Sequence, residues 1–153
     1  MKSVVLYFSR TGNSKRIAQK IADRAGVEIA EISDDKKWGG IIGFIRGGFY
    51  SVNMKTTNPS VTPAVDLNAF DKVIFVSPMW ASNVAPAVYS YIKKEKDNIK
   101  ELHLLINSGG IPTDDSITRI ETSVGKPDYR YSISARADNE EAVVNEIVKK
   151  LQV

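Results

Sequence analysis

Apolar and polar positions along the chain fall into two alternating kinds of segment. Val4 to Phe8 is a continuous apolar run, as expected for a strand that is buried on both faces. Residues 12–25 then carry apolar side chains three and four positions apart, which predicts an amphipathic helix that Gly26 is suited to end. A second strand is predicted from Val27 to Ile32.

The alternation resumes after a long irregular stretch at 34–69. It predicts strands at 73–76, 102–106 and 129–133 and helices at 86–96, 113–123 and 138–151. Strands and helices that alternate five times indicate a parallel sheet covered by helices on both faces. No linker or repeat divides the chain, so we expect one domain over residues 1–153. In such sheets ligands bind beyond the carboxyl ends of the strands.

The composition narrows the chemistry. The 153 residues include no cysteine and one histidine, His103, so we expect neither a metal site nor a thiol or Ser-His-Asp nucleophile. The formal charge of +3 is too mild and too dispersed to indicate a nucleic-acid partner. The first apolar run is too short for a secretion signal, and no stretch is long enough to span a membrane, so we expect a soluble, cytoplasmic protein.

The loop between the first strand and the first helix holds the strongest candidate chemistry. Residues 9–14 contain three hydroxyls, an amide and a glycine, which can aim N–H and O–H donors at a phosphate at the helix N-terminus. The loop matches neither the dinucleotide fingerprint nor the P-loop. Simple helix capping is the alternative interpretation.

The segment Tyr7-Phe8-Ser9-Arg10-Thr11-Gly12-Asn13-Ser14 resembles the N-terminal signature of flavodoxins, and the length and element order agree over the whole chain. The resemblance implies a flavodoxin-like three-layer α/β/α sandwich, with a five-stranded parallel sheet of order 2-1-3-4-5 and bound FMN. It implies that the side chains of Ser9, Thr11, Asn13 and Ser14 and the backbone N–H groups of Arg10 and Gly12 bind the FMN phosphate. We expect the side chains of Arg10 and Lys15 to point to solvent.

The loop after the third strand is the second candidate, and the resemblance implies that it borders the flavin. It comprises Pro78, Met79, Trp80, Ala81, Ser82 and Asn83. The indole of Trp80 would suit a flat ring, although Trp80 could instead pack as core on the helix at 86–96. Flavodoxins often have a glycine near the place of Ala81.

The loop after the fourth strand is the third candidate. Its residues are Asn107, Ser108, Gly109 and Gly110, which by the resemblance line the flavin with N–H donors. The paired glycines permit close backbone approach to a ligand but are also ordinary turn residues. No aromatic residue occurs from 107 to 116 to cover the outer flavin face.

The stretch at 34–69 has two interpretations. Its apolar residues have helix-like spacing but lie among glycines, which weaken helices. We expect a glycine-rich helix and a loop that caps one sheet edge; the alternative is a mobile basic lid over the flavin. His103 lies in an apolar strand, where a core histidine is more common than a catalytic base.

These observations predict an FMN-binding flavodoxin-like protein that acts in electron transport, with a redox partner protein or NAD(P)H as its partner and no catalytic side chain. One alternative is an oxidoreductase, an FMN-dependent enzyme that passes electrons from NAD(P)H to a quinone or similar acceptor. Another is a binding module that has lost the cofactor. The oligomeric state stays open.

Overall fold

A computed structural model describes residues 1–153, in which a central sheet is covered by five α-helices. The strands are β1 (Ser3–Tyr7), β2 (Glu28–Ser33), β3 (Ser60–Thr62), β4 (Lys72–Trp80), β5 (Asn83–Val84), β6 (Leu102–Ser108) and β7 (Tyr129–Ser134). The helices are α1 (Asn13–Ala25), α2 (Gly40–Val52), α3 (Pro86–Glu95), α4 (Asp114–Val124) and α5 (Glu140–Gln152). Short 3-10 turns occur at Leu67–Ala69 and Lys96–Asn98. None of the helices combines the length and the apolar character needed to cross a bilayer.

The sheet has the order β3-β2-β1-β4-β6-β7, with β5 paired to β4. Its five parallel strands, β2-β1-β4-β6-β7, follow the predicted order 2-1-3-4-5. The predicted total of five strands is wrong, because the sheet has seven. Short antiparallel β3 extends the edge beside β2, and β5 forms a hairpin with the end of β4.

Two cores lie on opposite faces of the sheet. Successive residues of β1 alternate between them: Val4 and Leu6 face the larger core, and Val5 and Tyr7 face the smaller one. Helices α1 and α5 cover the smaller core, and α3 and α4 cover the larger one with α2 beside them. This alternation confirms that the first apolar run is a strand buried on both faces.

Helix α2 has its small residues inward and its large apolar residues outward. Gly43, Gly47 and Ser51 are buried at spacings of four, which places them on one face. A Cβ at Gly43 would lie 2.2 Å from the carbonyl carbon of Trp38, and one at Gly47 would lie 2.9 Å from the ring of Trp80. Gly43 therefore lets this helix approach the backbone of Trp38, and Gly47 lets it approach the indole of Trp80.

Hydrogen bonds hold α2 at both ends. At its start, Arg10 donates to the carbonyls of Trp38 and Gly40. At its end, three side chains from β5, α3 and α4 donate to successive carbonyls: Tyr89 to Tyr50, Asn83 to Ser51 and Arg119 to Val52. The stretch at 34–69 thus forms the expected glycine-rich helix, and β3 caps the sheet edge. These contacts anchor α2, which does not favour the mobile-lid alternative.

Candidate functional site

The three predicted loops meet at one edge of the sheet. Strands β1, β4 and β6 are parallel neighbours, so their carboxyl ends lie side by side. The N–H of Phe8 donates to the carbonyl of Val76 at 3.1 Å, and Pro78 is the register partner of Asn107. The segments at 9–14, 78–83 and 107–110 therefore surround one region, as the position of the strand ends predicts.

The N-terminus of α1 has free donors. Gly12 precedes the helix with a φ of +94°, and no side chain caps the first turn. The backbone N–H groups of Asn13, Ser14 and Lys15 donate to no protein atom. Such groups, together with the positive end of the helix dipole, form a favourable environment for an anion. The N–H of Gly12 itself donates to the Ser9 hydroxyl at 2.9 Å.

The side chains of this loop divide into free and occupied donors. Ser9, Thr11 and the Asn13 amide nitrogen donate to no protein acceptor, although the Asn13 side-chain oxygen accepts a bond from Arg16. Ser14 is buried and donates to the Asn107 side-chain oxygen at 2.5 Å. Ser14 and Asn107 thus join α1 to the end of β6, whereas the amide nitrogen of Asn107 donates to no protein atom.

The Arg10 side chain is exposed, as expected, but it also bonds to the chain at the start of α2. Its Nε donates to the Trp38 carbonyl at 2.7 Å, and its guanidinium carbon lies 5.7 Å from the centroid of the Phe44 ring. Arg10 takes this position because the chain entering α2 presents carbonyls that need donors. Lys15 is exposed and has no ion pair, in agreement with its predicted position.

The second predicted loop is mostly a hairpin. Strand β4 continues to Trp80, beyond its predicted end at 76, and pairs with β5 across a two-residue turn. Both turn residues have positive φ, +47° at Ala81 and +62° at Ser82, as in the type I′ turns that suit hairpins. Alanine in this region costs roughly 1–2 kcal/mol. The turn therefore carries strain at the point where flavodoxins often have glycine.

Asn83 is not an open loop residue, which corrects the sequence-based expectation. It is fully buried, and its amide nitrogen donates to the Ser51 carbonyl at 3.3 Å and to the Ser123 hydroxyl at 2.8 Å. Its side-chain oxygen accepts from the N–H of Val84. Asn83 fixes the hairpin against α2 and α4, so its effect on the site is positional.

Trp80 packs against α2, where a Cβ on Gly47 would lie 2.9 Å from its ring, and against the larger core. Its ring is edge-on to those of Phe8 and Trp38, with both centroid distances 5.4 Å. Trp38 in turn donates its Nε1–H to Asp34, and burial raises the pKa of that carboxyl. Trp80 remains partly exposed, so it is both a packing residue and part of the rim.

A cavity of about 550 Å³ lies between α2, Arg10 and the hairpin. Three glycines of α2 line it together with Arg10, Phe44, Ile45, Met79, Trp80 and Ala81. Ligand sites usually have 300–1,000 Å³ and an apolar lining with a few polar groups. Sequence reasoning did not assign Phe44 or Ile45 to the site. The spacing of Gly43, Gly47 and Ser51 was the available signal, because it indicates which face of α2 is inward.

The third loop is bonded to the protein through its carbonyls, and the space beside its two glycines is open. The Ser108 hydroxyl donates to the Gly110 carbonyl, and the carbonyl of Gly109 accepts from the N–H of Arg136. A Cβ at Gly109 or Gly110 would meet no atom within 4 Å. Packing within the protein therefore does not require these glycines, and the space before them is available to a ligand.

His103 is a core residue, as predicted. It is fully buried on β6, with Nδ1 at 3.1 Å from the Tyr131 hydroxyl and Nε2 at 2.6 Å from Glu101. Burial lowers the pKa of His103, which favours the neutral ring. His103 occupies the second position of β6, whereas the candidate site follows the other end of that strand.

Neither a protein-family model nor a curated protein matches this sequence. Solved structures do match. A chain described as a flavoprotein from Bacteroides eggerthii has a TM-score of 0.76 at 17% identity, covering 99% of this chain and 98% of its own. A flavoprotein from Lactobacillus acidophilus in complex with FMN has a TM-score of 0.70 at 17% identity, covering 92% and 98%.

An FMN-dependent NADH-azoreductase from Bacillus anthracis is a more distant match. It has a TM-score of 0.50 at 12% identity, covering 99% of this chain and 96% of its own. At these identities the likeness concerns the fold. The chain therefore has the flavodoxin-like fold that its N-terminal segment predicts.

Proposed function

We propose that this protein binds FMN at the edge formed by the three loops and acts in electron transfer. The observation that carries the proposal is the set of three unbonded N–H groups at Asn13, Ser14 and Lys15. They lie at a strand-to-helix turn, and the Lactobacillus flavoprotein of similar fold was solved in complex with FMN. Backbone donors at a helix N-terminus are suited to a phosphate.

The loop residues fit a phosphate monoester. The free hydroxyls of Ser9 and Thr11 and the Asn13 amide would add side-chain donors, and each bond to a charged oxygen is stronger than a neutral one. Lys15 adds an unpaired positive charge beside the same turn. The Arg10 guanidinium donates to the carbonyls of Trp38 and Gly40, so we assign Arg10 to the phosphate only through its backbone, as the resemblance implies.

The ring system would lie along the hairpin and the third loop. Met79, Trp80, Ala81 and Ser82 would border one side, and Ser108, Gly109 and Gly110 the other. Pro78 ends the parallel register of β4 beside Asn107. Asn83, Asn107 and Ser14 would hold these segments in place. When bound, FMN supplies the one- and two-electron chemistry, and the chain supplies binding, orientation and local charge.

Local charge would affect the bound cofactor. The sequence pI is about 9.0, and the segment at 9–16 contains Arg10, Lys15 and Arg16 but no acidic residue. Arg16 is paired with Glu140, so the unpaired positive charges of this segment are those of Arg10 and Lys15. A positive environment favours the more negatively charged form of a bound group. We therefore expect reduction of the cofactor to be easier here than in an acidic protein of the same fold.

Binding of FMN can be tested by comparing it with riboflavin, which lacks the phosphate. Titration of the purified protein, followed by quenching of flavin fluorescence, should give an affinity for FMN at least about a hundredfold above that for riboflavin. Equal affinities would contradict the assignment of the α1 N-terminus to the phosphate. No binding of either flavin would favour the binding module without a cofactor.

Thr11→Ala tests the loop directly. We expect it to weaken FMN binding by about 1–3 kcal/mol, because a phosphate oxygen loses a charge-assisted bond. The matched control is Thr56→Ala, which removes another exposed threonine hydroxyl outside the three loops and should leave the affinity unchanged. Equal effects of both substitutions would argue against a phosphate at Thr11.

The cavity beside the hairpin favours a second candidate, an FMN-dependent NAD(P)H oxidoreductase. Its apolar wall with one guanidinium could take a second ring beside the flavin, and the Bacillus relative is an NADH-azoreductase. Anaerobic mixing of the FMN-loaded protein with NADPH or NADH distinguishes the two. Rapid bleaching of the flavin would support the oxidoreductase, whereas no bleaching without a separate reductase would support the electron carrier.

A further inference from the structure

The outer face of α2 is an apolar surface without a partner in the chain. We use "the outer face" for Ile41, Ile42, Ile45, Phe49 and Val52, with Phe44 on its flank, and each of these residues is 50% to 80% exposed. Scattered exposed apolar residues are ordinary, but a contiguous set of this size marks an interaction surface. The inward glycines and Ser51 fix this orientation, so the face cannot turn into the core.

Four basic residues near the outer face have no ion pair. Arg10 lies over the ring of Phe44, Lys55 lies over the ring of Phe49, and Lys37 and Arg46 are nearby in the chain. None of these four side chains has a carboxylate within 4.0 Å, and no acidic residue occurs from position 36 to position 65. The surface thus combines an apolar centre with unpaired cations at its margin.

The apolar centre and the unpaired cations together favour an anionic bilayer over a second copy of the chain as the partner of the outer face. A second copy of the chain would supply an apolar face, but it would bring the same cations together and offer no acidic group from this segment to pair with them. An anionic lipid bilayer supplies both complements, because acyl chains accept the apolar side chains and lipid phosphates accept the cations. A helix with apolar residues on one side and flanking Lys and Arg is typical of binding in the plane of the interface.

We propose that the outer face of α2 docks the protein on anionic membrane surfaces. The helix lies flat, Ile45 and Phe49 enter the boundary between headgroups and acyl chains, and Arg46 and Lys55 contact lipid phosphates. Phe44 and Ile45 also line the cavity, so docking brings the cavity beside the bilayer. The proposal concerns lipid binding alone and does not depend on FMN.

Sedimentation with vesicles tests the proposal. We expect the protein to bind vesicles with about 30% phosphatidylglycerol in phosphatidylcholine at least ten times more tightly than pure phosphatidylcholine vesicles. Binding should weaken in about 0.5 M NaCl, because salt screens the attraction between exposed charges. No binding to the anionic vesicles, or equal binding to both kinds, would overturn the proposal.

Variants test which surface binds. Ile45→Ser with Phe49→Ser should reduce binding to the anionic vesicles at least tenfold, and Arg46→Glu with Lys55→Glu should do the same. Ile111→Ser is the control, because Ile111 is 65% exposed but lies outside α2. Equal loss with Ile111→Ser would contradict the assignment of the outer face. All these side chains are exposed, so we expect unchanged circular dichroism spectra.

A measurement of mass in solution tests whether the outer face instead binds a second copy of the chain. Light scattering after size-exclusion chromatography should give the mass of one chain for the protein and for the Ile45→Ser, Phe49→Ser variant. A dimer that becomes a monomer in this variant would assign the outer face to a second copy and overturn docking on lipid.

Discussion

Adding one methyl group to Gly43 tests the packing of α2 against Trp38. The Cβ of an alanine at 43 would lie 2.2 Å from the Trp38 carbonyl carbon and 2.4 Å from its oxygen. Both are backbone atoms, so no side-chain rotation can relieve the contact. Helix and backbone would have to separate by about 1 Å, which would also disturb the contact between Trp38 and Trp80.

The expected magnitude is a balance of two effects. Alanine is favoured over glycine inside a helix by about 1 kcal/mol, whereas overpacking of a core costs about 1–3 kcal/mol. Because the clash is with backbone, we take the upper end of the overpacking cost, about 3 kcal/mol. Subtracting the gain of about 1 kcal/mol in helix propensity, Gly43→Ala should lower the free energy of unfolding by about 2 kcal/mol. For a domain of this size that is a fall in Tm of about 4–8 °C.

Gly48→Ala is the matched control on the same helix. A Cβ at Gly48 meets no atom within 4 Å, so only the gain in helix propensity remains. We expect this variant to be about 0.5–1 kcal/mol more stable than the parent. Gly47→Ala should fall between the two, because the ring of Trp80 at 2.9 Å is a side chain and can give way.

Thermal and urea denaturation of the three variants without flavin measure these differences. The reasoning predicts the stability order Gly48→Ala, then Gly47→Ala, then Gly43→Ala. If Gly43→Ala proved as stable as Gly48→Ala, α2 would not approach Trp38 as described. The inward position of the small residues, and with it the exposed outer face, would then be wrong.

Three further predictions concern stability. Ala81→Gly should raise the free energy of unfolding by up to about 1 kcal/mol in urea denaturation, because glycine adopts the positive φ of this turn without strain. The pKa of Glu140 is lowered to about 2 by Arg16 and Lys20, so its contribution is complete above pH 4.5 and disappears as the pH falls towards 2. Over this pH range the free energy of unfolding should fall by about 1–2 kcal/mol through this surface network. The fall should be smaller in Glu140→Gln when unfolding is measured as a function of pH. Burial lowers the pKa of His103 in the folded protein, so as the pH falls the unfolded chain binds a proton at this residue first. The free energy of unfolding should therefore decrease below about pH 6.5, and His103→Gln should make this decrease smaller in the same measurement.

The general architecture could be predicted because its signals are local. An apolar run such as Val4 to Phe8 indicates a strand covered on both faces, and the helical spacing after it indicates the first crossover. The strand order is not contained in those patterns, and it came from the resemblance of residues 7–14 to flavodoxins. The predicted end of β4 at residue 76 is wrong, since Ala81-Ser82 lacks the Asn-Gly or Asp-Gly signal of a tight hairpin.

The candidate site could be predicted only as a set of segments. Ser14 and Asn83 have side chains that can donate hydrogen bonds, and so have Thr11 and Ser82. Residue type alone does not distinguish a ligand contact from an internal one. Burial makes the distinction, because Ser14 and Asn83 have their partners inside the protein. The hydrogen bonds of Arg10 could not be predicted either, since their acceptors, at Trp38 and Gly40, lie about thirty residues further along the chain.

The contacts of Arg10 connect the candidate phosphate loop with α2. If a bound phosphate drew the guanidinium away, the carbonyls of Trp38 and Gly40 would lose their donor at the start of a helix that its glycines already weaken. The free backbone N–H groups of α1 can bind the same phosphate without that cost. Energetics therefore favour an anion held by the α1 amides while Arg10 stays on α2, which keeps the cavity wall and the outer face in place when a ligand binds.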